Sequence, residues 1–96
     1  MPALLLKGPL LTAVREGRKT QTLRARQYRC SPGDRLSFNF GAVRATVTAC
    51  DRVNVSDLNE KDARREGFTS LSDLRAAMKA MKLDAKELTR IRFRLE

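Results

Sequence analysis

Residues 17–26 read GRKTQTLRAR, a glycine followed by one lysine, two threonines and three arginines within ten positions. The chain contains no histidine, so the commonest general base and metal ligand is absent. Any bond-breaking chemistry therefore rests on a Thr, Ser or Cys nucleophile with Lys, Asp or Glu as its base. Lys19 and Thr22 form one such pair: a threonine hydroxyl attacks only if a neighbour takes its proton, and a lysine does so only as the neutral amine. Desolvation or nearby positive charge favours that form, and Arg18, Arg24 and Arg26 supply the charge. Side chains alternate along a strand, so positions three apart point to opposite faces. The pair works only if Lys19 sits in a turn after Gly17 with Thr22 on the strand proper. By the same parity Thr20, Thr22, Arg24 and Arg26 share a face, which makes Thr20 a competitor or a hydrogen-bonding neighbour of Thr22. A Lys-x-x-Thr spacing is common on ordinary strands and by itself assigns nothing.

The elements that must position these residues follow from pattern. ALLLK (3–7) is a short apolar run bounded by Gly8 and Pro9, as expected of a buried strand. PLLTAVREG starts on a proline suited to a first helical turn and ends at Gly17, a natural helix stop. A strand over most of KTQTLRAR and a loop at QYRCSPGD, with its Pro32-Gly33-Asp34 turn, come next. RLSFNF alternates, with Leu36, Phe38 and Phe40 inward. AVRATVTAC places Val43, Ala45, Val47 and Ala49 on one face, and the short Gly41-Ala42 link predicts an antiparallel hairpin. Asn59 with Asp62 resembles a capping box for a helix closed by Gly67. Ser70 and Asp73 repeat the signature before LSDLRAAMKAM, whose Leu71, Leu74, Ala77, Met78 and Met81 share a face, the methionines as core filler. LTRIRFRLE returns to alternation, with Ile91, Phe93 and Leu95 inward. The sum is an α+β domain, a small β-barrel or strongly curved mixed sheet with about three helices.

Composition bounds the partners. The 96 residues carry a formal charge of +9, and residues 1–50 hold nine Lys/Arg against only Glu16 and Asp34. Such a field attracts polyanions, RNA among them. Cys30 and Cys50 are not in a Cys-x-x-Cys arrangement and are too few for a zinc site without histidine. Both read as reduced, structural thiols. MPALLLKGPLL lacks a basic leader and a small-residue cleavage site and is far short of a membrane span, so a soluble cytoplasmic protein is expected.

Taken in order, LLTAVREGRKTQTLRAR, PGDRLSF, VRATVTACDRV, LNEKDARREGFTSLSDLRAAM and IRFRLE resemble the blocks of the ASCH domain, a relative of the PUA-like nucleic-acid-binding barrels. The likeness covers nearly the whole chain and implies a single ASCH domain over 1–96. Within that superfamily the motif Gly-Arg-Lys-Thr-x-Thr-x-Arg, intact at Gly17 to Arg24, is similar to that of small bacterial amidohydrolases acting on N4-acetylcytidine and related N4-acylated cytosines. The resemblance implies Lys19, Thr22 and Glu66 as the catalytic set and a reaction without cofactor or metal. Thr22 would attack the amide carbonyl, Lys19 would take its proton, and Glu66 would orient Lys19 or shuttle a proton to the departing amine. Arg18, Thr20, Arg24 and Arg26 are candidate substrate contacts, and backbone amides near Arg18 to Gln21 are candidate oxyanion donors. Extra basic residues and a shorter N-terminus depart from that group. The alternative is an RNA-binding module or RNA-processing ribonuclease, with Arg35, Arg44, Arg90, Arg92 and Arg94 on phosphates and Tyr28 or Phe40 stacked on a base. The two combine if the modified cytosine lies within RNA.

Overall fold

The computed structural model describes residues 3–83 and 85–96. Along the chain run β1 (Ala3–Leu4), α1 (Gly8–Arg15), β2 (Gln21–Arg24), β3 (Arg35–Phe38), β4 (Val43–Asn54), a 3-10 turn (Val55–Asp57), α2 (Glu60–Arg65), α3 (Leu71–Ala80) and β5 (Glu87–Leu95). The strands form one mixed five-stranded sheet in the order β1-β3-β4-β5-β2. Only β1 and β3 run parallel; the remaining neighbours are antiparallel. The sheet does not close into a barrel: β1 and β2 are its edges.

The long strands β4 and β5 are the spine. Their register shifts between Val47, opposite Phe93, and Ala49, opposite Arg92. The extra residue reverses the side-chain parity of β4 beyond it. Ala49 consequently leaves the face predicted for it, and Cys50, opposite Ile91, packs on the core instead. Two cores result. Leu4, Val14, Leu36, Phe38, Val43, Ala45, Val47, Ile91 and Phe93 fill one, with Phe38 and Phe93 rings 5.1 Å apart at 60°. Leu23, Val53, Leu58, Ala63, Leu74, Met78 and Leu88 form the other, where α2 and α3 pack on the sheet. On β2, Leu23 belongs to the second core, while Thr22 stands opposite Ile91 of the first. That edge strand thus turns one side to each core.

Three sequence expectations are corrected at element ends. The predicted strand over residues 3–7 pairs only at Ala3 and Leu4, and Leu5 is exposed. Phe40 points to solvent rather than inward because Asn39, Phe40 and Gly41 all adopt positive φ (51°, 59° and 88°) and end β3 at Phe38. The Asn39 side chain stabilises this turn by bonding both backbone groups of Leu6: its Oδ1 accepts from the Leu6 N–H at 2.8 Å, and its Nδ2 donates to the Leu6 carbonyl at 2.9 Å. Leu95 is also exposed, at the end of β5.

Candidate active site

All three helices end in the same way, and each end delivers residues to one cavity. After α1, Gly17 donates to the Val14 carbonyl and Arg18 to that of Ala13, with Gly17 at φ 78°. After α2, Gly67 donates to Arg64 and Phe68 to Ala63, with Gly67 at φ 93°. After α3, Lys82 donates to Lys79 and Leu83 to Met78, with Lys82 at φ 56°. These are Schellman closures, in which a left-handed residue turns the chain back so that its next amide reaches an unpaired helix carbonyl. Lys19 follows the first, Glu66 immediately precedes Gly67 of the second, and Met81 and Leu83 flank the third.

The first two ends are tied together through the backbone. The Thr20 N–H donates to the Arg65 carbonyl at 2.7 Å, and the Thr20 carbonyl accepts from Phe93 at 3.0 Å. This clamps the start of β2 to the last turn of α2, and Lys19 Nζ donates to Glu66 Oε1 at 3.0 Å. Lys19, Thr22 and Glu66 are 3 %, 2 % and 5 % exposed. The turn that part of the sequence argument required after Gly17 exists: Lys19 precedes β2, Thr22 lies within it, and both side chains line the same cavity.

That cavity encloses about 410 Å³. Leu5, Leu6, Leu10, Met81 and Leu83 give it apolar walls, while Lys19, Thr22, Arg24, Arg26, Tyr28 and Glu66 supply polar groups. Its size and mixture suit a small ligand held by a few oriented polar contacts. Met78 is core as predicted, but Met81, 43 % exposed, is part of the cavity wall. Sequence periodicity could not separate the two, because the helix stops between them.

Arg24 reaches across the site. Its Nε donates to Thr22 Oγ1 at 3.2 Å and its Nη2 to the Leu5 carbonyl at 3.0 Å. Burial pulls its pKa below the ordinary guanidinium value, opposed by Tyr28 and Glu66. Thr22 thus receives a hydrogen bond from a cation and keeps its own hydroxyl proton to give. No hydrogen bond joins Lys19 to Thr22 among the described residues. Burial pushes the Glu66 carboxyl above its usual range, and Lys19 opposes the shift by charge and hydrogen bond. Glu66 Oε2 is buried with no hydrogen-bond partner among the described residues. A buried acceptor left unpaired is costly, so this atom is an opening for a ligand donor.

The remaining candidates separate. Arg26 lines the cavity and stacks on the Tyr28 ring, 5.5 Å from its centroid. Arg18 is exposed and pairs with Glu16, and Thr20 is exposed; neither lines the cavity. The amides of Arg18, Lys19 and Thr20, candidate oxyanion donors from sequence, are already bonded to Ala13, Ala13 and Arg65. Arg90 and Arg92, candidate phosphate contacts, are also engaged. Arg90 binds Asp51 (2.6 Å) and the buried Asp62 (3.1 Å), which holds its pKa above the ordinary value. Arg92 donates to Gln21 Oε1 at 3.2 Å, and Gln21 in turn to Asp62 at 3.3 Å.

Support residues escaped the sequence argument. Asp62 caps its own helix as predicted, with Asn59, but is also the hub of the Gln21–Arg90 network that fixes α2 to β2 and β5. Thr89 accepts from the Tyr28 N–H (3.2 Å) and donates to the Arg26 carbonyl (2.9 Å), anchoring the loop that carries both residues. The signal was a threonine in phase with Ile91 and Phe93 on the inward face of LTRIRFRLE, where Thr89 is buried. Among the described residues no group of three or more Cys, Asp or Glu could hold a metal ion, and no helix is long and apolar enough to cross a membrane.

No protein-family model and no curated protein matches the sequence. Solved structures do match. The ASCH domain from Lactobacillus crispatus JV V101 aligns with a TM-score of 0.76 at 11 % identity, covering 98 % of this chain and 79 % of that one. ASCH from Zymomonas mobilis aligns at 0.70 and 19 % identity, covering 96 % of this chain and 65 % of that one. Hypothetical protein PH0355 aligns at 0.77 and 13 % identity over 99 % of this chain and 98 % of that one. The chain therefore has the fold of these ASCH structures, and it spans about two thirds of the Zymomonas protein.

Proposed function

We propose that this protein is a metal-independent amidohydrolase that removes the acyl group from N4-acetylcytidine and related N4-acylated cytosines. The observation that carries the proposal is the buried Lys19–Glu66 pair sharing a cavity with Thr22 while Glu66 Oε2 has no partner among the described residues. An N4-acylated cytosine offers an amide N–H that this oxygen could accept and a carbonyl beside it that Thr22 could attack. The other cavity groups fit a flat, polar-edged base: Tyr28 and Arg26 present a stacked pair, and the walls are apolar.

In the reaction so drawn, Thr22 Oγ1 bonds to the acyl carbon as its proton passes to the Lys19 amine. Glu66, whose carboxyl is raised by burial, is the partner able to take the ammonium proton beforehand and return one to the cytosine nitrogen as the C–N bond breaks. Arg24, already on Thr22 Oγ1, takes the place of the occupied backbone amides as donor to the developing oxyanion. Water then releases the carboxylic acid from Thr22 by the same proton route reversed.

The test is conversion of N4-acetylcytidine to cytidine and acetate by purified protein, beside Thr22→Val. The substitution keeps the shape of a buried side chain and removes only its hydroxyl. Loss of a nucleophile should lower kcat by at least about a thousandfold, while loss of the acceptor for Arg24 Nε should cost only about 1 kcal/mol and leave the protein folded. A folded wild-type protein without conversion, or an active Thr22→Val, defeats the proposal.

A further inference from the structure

Cys30 and Cys50, which the reaction does not use, lie together beside the loop that carries Arg26 and Tyr28. Both are free and half-buried, and both pack on the first core. The backbone brings them side by side. Ahead of β3 the chain already runs antiparallel to β4: the Gly33 N–H donates to the Val47 carbonyl at 2.8 Å, and the Val47 N–H donates to the Asp34 carbonyl at 2.8 Å. Going back from Gly33 to Cys30 covers the same length of chain as going on from Val47 to Cys50. The register shift after Val47 then turns Cys50 onto the core that Cys30 also touches. Cys50 Sγ donates to the Tyr28 carbonyl at 3.9 Å, and Cys30 is hydrogen-bonded to Cys50. Two sulfurs in such contact, on segments held by backbone hydrogen bonds, need only side-chain rotation to reach disulfide geometry.

The place of the pair matters to the cavity. Arg26 and Tyr28 line it and are anchored on one side by Thr89, which accepts from the Tyr28 N–H and donates to the Arg26 carbonyl. On the β4 side Tyr28 is held by the thiol of Cys50, a weak donor. A covalent bond two residues farther along the loop would replace that weak tie.

We propose that Cys30 and Cys50 are an oxidisable pair, converted by low-molecular-weight disulfides into an intramolecular disulfide that fixes the Arg26–Tyr28 wall of the cavity to β4. Burial and then the hydrogen bond with Cys50 push the Cys30 thiol up to about 12, so Cys50 makes the first attack. Its thiolate bonds to one sulfur of the small disulfide and expels the other half as a thiolate, which takes up the proton Cys50 released. Cys30 then loses its proton as its sulfur attacks that of Cys50, and the second half leaves with that proton as a thiol. Cys50's own share in raising the Cys30 thiol is gone by that step, because its sulfur is already in the mixed disulfide. Both cysteines are oxidised and the small disulfide is reduced to two thiols. The pair is independent of the Thr22 reaction.

The experiment incubates the reduced protein with oxidised glutathione, quenches with acid and reads intact mass for wild type, Cys30→Ser and Cys50→Ser. Wild type should lose about 2 Da as a monomer, Cys30→Ser should stop at the mixed disulfide about 305 Da heavier, and Cys50→Ser should react at least about tenfold more slowly. Closing a loop of about twenty residues should raise the melting temperature of the oxidised protein by about 10 °C. By the same linkage, the folded protein should oxidise about a hundredfold more favourably in a glutathione buffer than the chain unfolded in urea. Exchange of the Tyr28 amide should slow by about fivefold or more on oxidation, the sign that the wall itself is fixed. Wild type that stops at the mixed disulfide, disulfides formed between chains, an oxidised form that melts below the reduced one, or an unchanged Tyr28 exchange rate overturns the proposal.

Discussion

Removing Lys19 should unfold much of this protein's stability margin, and should do so in a way that depends on pH. Lys19→Met retains the length of the side chain and deletes the ammonium that faces Glu66 Oε1 at 3.0 Å. Glu66, 5 % exposed, then has neither oxygen paired among the described residues. Breaking a buried pair from one side costs about 3–5 kcal/mol. A chain of this length has about 5–14 kcal/mol in total, so the melting temperature should fall by about 12 °C or more at neutral pH. The sign of the pH dependence follows from the raised carboxyl. A folded pKa above the unfolded value means that the native state binds a proton the unfolded chain has released. The stability tied to Glu66 is then greatest below the ordinary carboxylate range and is lost as pH rises through the folded value. Without Lys19 the first of the downward influences is gone, leaving Gln21 and Arg24, and the window extends to higher pH. The difference in unfolding free energy between wild type and Lys19→Met, from urea titrations, should therefore be small near about pH 5 and largest near about pH 8. Taking the difference cancels carboxylates common to both. Adding Glu66→Gln to Lys19→Met should recover most of the loss and remove the pH dependence. A pH-independent loss below about 1 kcal/mol would refute the buried-pair account.

Lys82→Gly should stabilise the fold by about 0.5–1 kcal/mol in thermal melts, because Lys82 holds the left-handed closing position of α3 that Gly17 and Gly67 hold in α1 and α2. Gly67→Ala should have the opposite sign, costing about 1–2 kcal/mol through its φ of 93°, and should also lower activity by shifting Glu66; urea titration and turnover read the two effects separately. Cys30 should react with Ellman's reagent at about pH 8 at least a hundredfold more slowly than a free cysteine, since burial and then its hydrogen bond with Cys50 push the thiol up to about 12.

Much of the site was legible because its parts are local. The absence of histidine limited any general base to lysine or a carboxylate, and Gly17 marked the turn that lets Lys19 and Thr22 meet at one cavity. Asn59 and Asp62 announced α2, and Gly67 announced its end, which is where Glu66 sits. The errors share a cause as well. Phe40, Ala49 and Leu95 were assigned faces by period-two alternation, which holds only within uninterrupted strand; a left-handed turn, a bulge and a strand end each broke the count. Arg90 and Arg92 follow the outward pattern, but Arg90 is paired with Asp51 and Asp62 and Arg92 is hydrogen-bonded to Gln21, partners from other elements.

The sequence by itself determined the helix stops at Gly17 and Gly67, the α+β order of elements, the basic field and the residue types able to do chemistry, since capping, glycine conformation and charge act within a few positions of the chain. Only the tertiary structure decided that three helix ends converge on one cavity, that Arg24 reaches Thr22 while Arg18 turns away, that Glu66 keeps one buried oxygen unpaired among the described residues, and that Phe40 is held outward. Each of these depends on contacts between segments far apart in sequence. The Thr20 amide meeting the Arg65 carbonyl is the plainest case: one backbone hydrogen bond sets Lys19 beside Glu66, and no pattern in either segment encodes it.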